Sequence, residues 1–231
     1  MQTLFIKKSV CFLKLLRKMK KYVLLVFTGL MFACHSSNST DENNEQKENI
    51  VLTKEEKIIK LYHESVLPIF KNYQEAGIPS EFTIDKKDLG IDGGAAEGYL
   101  VVSQGLVNLS KENIQLFALS HEVGHIVTIK QARLFGLIGD ISSGNMTNDY
   151  KKAEYFADLI AIHLIKTKLP ESFILLAEDF PYLQNLLGTA DSMHPSGKDR
   201  IASMNTYIQN SKENGDEEAF KNRFIAIWKM D

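Results

Sequence analysis

Along this chain, segments with apolar residues every three or four positions alternate with segments that lack that period. The first periodic segment after residue 50 places Ile58, Ile59, Tyr62, Val66, Ile69, Phe70 and Tyr73 at helical spacing, behind the capping box Thr53-Lys54-Glu55-Glu56. Between Gly77 and Ser110 the pattern changes. Glu81–Asp85 and Tyr99–Ser103 read as short strands, with a turn-rich Asp92-Gly93-Gly94 between them. Ser110 reads as the cap of a helix running to about Lys130. A Gly-rich loop over 135–148 leads to a helix at about 149–168, and Pro170 opens another. Two more helices are predicted at 195–210 and 217–230. Few strands, many helices, no βαβ alternation and no internal repeat make the fold α+β and mostly helical.

The first 50 residues follow a different logic. Met19-Lys20-Lys21 precedes an apolar run of 12 residues, Tyr22 to Ala33, and then Cys34. A helix needs about 20 residues to cross the hydrocarbon of a membrane, so the run reads as a secretory h-region. A cysteine directly after a small residue resembles a bacterial lipoprotein signal, with Cys34 as the lipidated first residue; the alternative is a signal peptide that ends beside a free cysteine. Residues 1–33 are therefore expected to be an N-terminal extension and signal. Residues 1–18 read either as a start-site overcall, with translation from Met19, or as an extended n-region. From His35 to Asn49 there is no apolar side chain, so 34–50 reads as a flexible tether and 51–231 as the folded domain.

Charge sharpens that division. The chain carries 27 basic and 29 acidic residues, a formal charge of −2, but seven basic residues fall in the first 21 positions and no acid precedes Asp41. From Cys34 onward 20 basic residues face 29 acidic ones, a charge of −9. Such a surface is not that of a nucleic-acid binder, and it gives no electrostatic hold on anionic lipid, which leaves membrane attachment to Cys34. Cys11 and Cys34 are the two cysteines, so the domain has no disulfide framework.

The candidate chemistry is His121-Glu122-Val123-Gly124-His125, inside the helix expected after Ser110. Positions i and i+4 share a helix face, so His121 and His125 can reach one metal ion while Glu122 sits beside it to deprotonate water. The alternative is a pair of helix histidines making ordinary hydrogen bonds. A metzincin extension would need Gly at 128 and His at 131; Thr128 and Gln131 stand there. A glutamate about 20 residues on is missing too. The first glutamate after the motif is Glu154, 29 residues beyond His125, with Asp158 one helical turn later. Glu154 is the expected third ligand and Asp158 the group that orients a ligand histidine through its outer N–H. His163 falls on the opposite helix face and reads as a surface or core histidine.

Three segments in order resemble one family, the gluzincin zinc metallopeptidases of family forty-eight, the group of HtpX, BepA and the CAAX prenyl endoprotease. They are Gly98–Ser110 leading into HExxH, the Glu154–Asp158 ExxxD pair, and His194-Pro195-Ser196-Gly197-Lys198-Asp199-Arg200-Ile201. The resemblance implies a gluzincin domain with a small antiparallel sheet packed on the HExxH helix, and one Zn²⁺ ion held by His121, His125 and Glu154. It further implies Glu122 as general base, His194 and Arg200 as oxyanion-stabilising groups, and an edge strand Tyr99, Leu100, Val101, Val102, Ser103 that binds substrate backbone. The 29-residue connection is shorter than the family's usual one, and the loop 135–149 either leaves the cleft open or acts as a lid. The implied activity is endopeptidase cleavage of misfolded or exposed polypeptide. The expected location is the cell envelope, lipid-anchored and facing the periplasm, on the outer membrane, with envelope assembly partners. The alternatives are a zinc-bound, gated or inert scaffold for envelope protein assembly, and a cytosolic antirepressor-type gluzincin, against which the signal at Met19–Cys34 counts.

Overall fold

The computed structural model describes residues 51–231; the signal, the Met19 start, Cys34 and the tether lie outside the described residues. Helix α1 (Lys54–Leu61) begins on the expected capping box, with Thr53 Oγ1 accepting from the Glu56 N–H and Glu56 reaching back to the Thr53 N–H. It runs on through a π turn at Tyr62–Val66, a short turn Leu67–Ile69 and a 3₁₀ stretch Lys71–Ala76. Three strands follow, β1 (Thr83–Asp85), β2 (Gly93–Ala96) and β3 (Tyr99–Ser103). The helices after them are α2 (Gln104–Asn108), α3 (Glu112–Leu134), α4 (Asp149–Lys168), α5 (Pro170–Glu178), α6 (Phe180–Leu187), α7 (Gly197–Asn214) and α8 (Asp216–Trp228). The described residues are thus mostly helical with one small sheet, as the pattern predicts.

The sheet corrects two expectations. It is mixed rather than antiparallel, in the order β1-β3-β2, with β1 parallel and β2 antiparallel to β3. Tyr99–Ser103 is therefore the central strand. Its Val101 and Val102 face Thr83 and Ile84 on one side and Gly94 and Gly93 on the other, so its backbone groups are taken and it cannot receive a substrate strand. The edge strands are Thr83–Asp85 and Gly93–Ala96; the sequence presents the second as a turn because glycine is disfavoured in strands. Leu100 and Val102 alternate into the core, as a half-buried strand requires.

Ser103, not Ser110, is the first cap after the sheet: its Oγ accepts from the Leu106 N–H to open α2, and α3 starts only at Glu112. Helices α3 and α4 form the centre. The run Phe156–Ile165 in α4 is buried without interruption, and α3 is buried on most sides, so neither carries a clean amphipathic stripe. Helix α3 packs on α4, α5, β2 and β3; α4 packs on α7 and α8; and α6 leans on α7. No helix among the described residues is long and apolar enough to cross a membrane.

Candidate metal centre

Two helices bring the candidate ligands together. His121 and His125 lie one turn apart on α3, and α4 delivers Glu154 opposite them. Such close approach depends on Gly124: a Cβ at that position would sit 2.9 Å from the Ala157 carbonyl oxygen and 3.0 Å from its Cα. The two Nε2 atoms are 3.0 Å apart. Glu154 Oε2 lies 3.3 Å from His121 Nε2, and Oε1 lies 3.3 Å from His125 Nε2. These three residues form the one cluster among the described residues whose ligand atoms could hold a metal ion, all within 4.8 Å of one another.

Behind the triangle lies a buried layer of charge. His121 Nδ1–H donates to Asp158 Oδ1 at 2.9 Å, which orients the ring so that Nε2 points at Glu154. Arg200 donates from Nε to Asp158 Oδ2 at 2.8 Å and from Nη2 to Oδ1 at 2.6 Å, and its Nη1 meets Glu154 Oε2 at 2.9 Å. All three guanidinium nitrogens are thus committed to carboxylates. Arg200 is buried, lines the cleft beside the ligand set and braces it through these carboxylates. Burial drives the Asp158 carboxyl up, but the Arg200 pair and the His121 hydrogen bond outweigh it and hold it low. Glu154 is likewise held well below the usual carboxylate range, against burial, by His121, His125 and Arg200. Burial and Arg200 oppose charge on His121, yet Glu154 and Asp158 push its pKa up to about 10. The geometry and the charge agree: this corner favours a cation, either a proton or a metal ion.

Glu122 lines the same cleft, of about 570 Å³, together with the three ligand residues and His194. Its carboxylate lies against the edge strand, where a Cβ on Gly93 would fall 2.7 Å from Oε1. Burial pushes its pKa upward, opposed by His121 and His125 and reinforced by Glu154 and Asp92. His194 stands on the loop between α6 and α7, exposed, with Nδ1 at 3.0 Å and 3.1 Å from the two Asp191 oxygens. Asp191 Oδ1 also accepts from the Met193 and His194 backbone N–H groups. Nδ1 being anchored, Nε2 is the ring nitrogen left for a molecule in the cleft. Ser196 rather than His194 caps α7, so His194 has no capping role.

Asp191 and Gly93 lie outside every sequence motif, and Gly124 lies within HExxH at one of its unspecified positions. The Asp-x-x-His spacing at 191–194 was available as a signal; nothing local marks the two glycines. His163, on the far side of α4, is a core residue: it stacks on Phe220 at 4.0 Å and shares a hydrogen bond with the Tyr207 hydroxyl at 2.9 Å. Compared with known proteins, the chain matches no family model, no curated protein and no solved structure.

Proposed function

We propose that the protein is a zinc-dependent metalloendopeptidase. The observation that carries this reading is the Nε2–Nε2–carboxylate triangle, with edges of 3.0, 3.3 and 3.3 Å. Zinc bonded at about 2.0–2.1 Å to tetrahedral N and O ligands sets those ligands about 3.3–3.4 Å apart. Two imidazoles and one carboxylate leave the fourth corner open to the cleft, the arrangement of a catalytic rather than a closed structural site. Arg200 and Asp158 supply the buried support that keeps ligands fixed in such sites.

A zinc ion in the triangle supplies Lewis acidity that polarises a carbonyl and activates water. The Glu122 carboxylate takes the proton of the attacking water and returns it to the leaving amine; its burial-raised pKa suits both halves of that transfer. His194, anchored by Asp191, offers Nε2 to the carbonyl oxygen as charge develops there. Substrate backbone pairs with the outer edge of β2, whose Gly93, Gly94 and Ala95 line the cleft. The substrate is exposed or misfolded polypeptide. The lipoprotein-like signal supports anchoring through Cys34 on the periplasmic side of the outer membrane, and Cys34→Ser then releases the protein into the soluble fraction; a mutant that stays with the membranes places the anchor elsewhere.

The test of the activity is cleavage of unfolded casein by zinc-loaded protein with and without chelator. Glu122→Gln keeps its zinc and loses cleavage by roughly 10²–10⁴-fold. Undiminished cleavage by Glu122→Gln removes Glu122 from the mechanism, and no cleavage by zinc-loaded wild type leaves a metal-bound scaffold for envelope assembly as the function.

A further inference from the structure

One side chain ties the loop that presents His194 to the helix that presents Glu154. Asn148 precedes α4, and its Oδ1 accepts from the Lys151 N–H at 2.9 Å, satisfying one of the unpaired donors of the first turn. Its Nδ2–H donates to the Ser192 carbonyl at 2.7 Å, 44 residues away in the chain. One partner is a donor and the other an acceptor, so the two ends of the amide are not interchangeable. Aspartate caps a helix equally well but has no donor to spare, and a serine hydroxyl stops one atom short of Ser192. Beyond this link, residues 188–197 close on themselves. The Gly197 N–H donates to the Gly188 carbonyl at 2.9 Å and the Asp191 N–H to the His194 carbonyl at 3.1 Å, while Asp191 Oδ1 takes the Met193 and His194 N–H groups. Asn148 is held in turn from its own side. Ser143 Oγ accepts from the Asp149 N–H and donates to Asp149 Oδ1, and Asn145 donates to Asp231 from its backbone N–H at 2.9 Å and from Nδ2 at 3.1 Å.

We infer that Asn148 is a positioning residue for His194, setting the distance across the cleft between Glu154 on α4 and the imidazole that meets the substrate carbonyl. The inference rests on the peptidase reading and adds to it a residue that touches neither metal nor substrate. Tyr150, Ala153 and Glu154 line the cleft from α4, and Asp191, Met193 and His194 line it from the loop, so the Asn148–Ser192 bond joins the two walls. The His194 side chain is 49% exposed, so little packing holds its ring, and hydrogen bonds must fix it. A donor to a developing oxyanion is effective at about 2.7–3.1 Å, and a misplacement of about 1 Å set by a residue outside the chemistry costs on the order of 10²-fold. Because the knot at 188–197 is closed by its own hydrogen bonds, a shift at Ser192 carries through Asp191 to His194 rather than being absorbed between them.

Two substitutions keep the cap and remove the link. Asn148→Ser withdraws the donor without adding charge, and Asn148→Asp sets a carboxylate oxygen against the Ser192 carbonyl. Both variants hold zinc at the wild-type level and unfold in urea at the wild-type midpoint. On a fluorogenic casein fragment their kcat falls by roughly tenfold to a hundredfold with KM little changed. Beside His194→Ala the same two substitutions change kcat by less than about twofold, because the group they position is already gone. Amide hydrogen exchange of the metal-free protein gives a readout independent of cleavage: Met193 and His194 exchange faster in both variants, while α4 keeps its protection. Wild-type kcat in both variants, a loss that persists undiminished beside His194→Ala, or unchanged exchange at Met193 and His194 overturns the positioning role. Zinc lost from Asn148→Ser assigns the effect to Glu154 and overturns it as well. If zinc-loaded wild type cleaves casein and the variants cleave equally, this inference fails alone; if zinc-loaded wild type cleaves nothing, the peptidase reading fails and takes the inference with it, whatever the exchange rates.

Discussion

Gly124→Ala tests whether the close approach of α3 and α4 sets the geometry of the proposed metal site. The added Cβ would lie 2.9 Å from the Ala157 carbonyl oxygen and 3.0 Å from its Cα. Ordinary contacts are about 3.3–3.6 Å for C···O and 3.5–4.0 Å for C···C, so the helices must part by about 0.5 Å at that point. Gly124 sits between the two histidine ligands, and Ala157 is three residues from Glu154, so the displacement falls inside the ligand triangle. Workable metal sites hold their distances to within about 0.2 Å, and a 0.5 Å shift exceeds that. Zinc affinity should fall by roughly tenfold to a hundredfold, the range seen when support around a metal site is disturbed. Overpacking costs about 1–3 kcal/mol, and the better helix propensity of alanine returns about 1 kcal/mol, so the metal-free variant should lose little stability. The assay is a zinc competition titration with a chromophoric chelator, run beside urea unfolding of the metal-free protein. An affinity within about threefold of wild type, at unchanged stability, would refute the link between the Gly124–Ala157 contact and the metal geometry.

Three other outcomes are expected. Gly93→Ala puts a methyl 2.7 Å from Glu122 Oε1 and 2.9 Å from Cδ, so it displaces the proposed base; casein cleavage should drop while zinc content, measured by atomic emission, stays at the wild-type level. Arg200→Ala leaves the Asp158 and Glu154 carboxylates without their buried partner and lowers metal-free stability by about 3–5 kcal/mol in urea unfolding, with zinc restoring part of the loss. His163 is held neutral by burial, with its pKa pushed down to about 4 from an ordinary 6.5. A depressed histidine pKa contributes stability above the unfolded value and loses it as pH falls, so stability should drop by about 3 kcal/mol between pH 6.5 and 4. His163→Gln should flatten that slope in denaturant midpoints measured across the window.

Local features of the chain translated well into local structure. The capping box at Thr53, the HExxH spacing and the 149–168 helix needed only neighbours within a few residues, and the structure forms them as read. The Glu154–Asp158 pair was legible because a metal site demands a third ligand and a helix turn relates the two acids. What sequence could not show depends on contacts distant along the chain. Gly93-Gly94 looks like a turn until Glu122, 29 residues later, is seen to occupy the space that a side chain at 93 would need. The parallel pairing of β1 with β3 makes the expected edge strand a central one, and no period in Tyr99–Ser103 reveals its neighbours. Helix α6 was missed because it is only 8 residues long and begins at Phe180-Pro181, directly after α5. Nothing near Arg200 in sequence reveals its hydrogen bonds to Asp158, 42 residues earlier.

Zinc bound per chain, measured by atomic emission after dialysis against trace zinc, tests the central claim most directly. Wild type and Glu122→Gln should each hold about one zinc ion, and His125→Ala and Glu154→Ala, with folding verified by circular dichroism, should hold almost none. Zinc retained at the wild-type level in those two folded variants would contradict the assignment of His121, His125 and Glu154 as one metal centre.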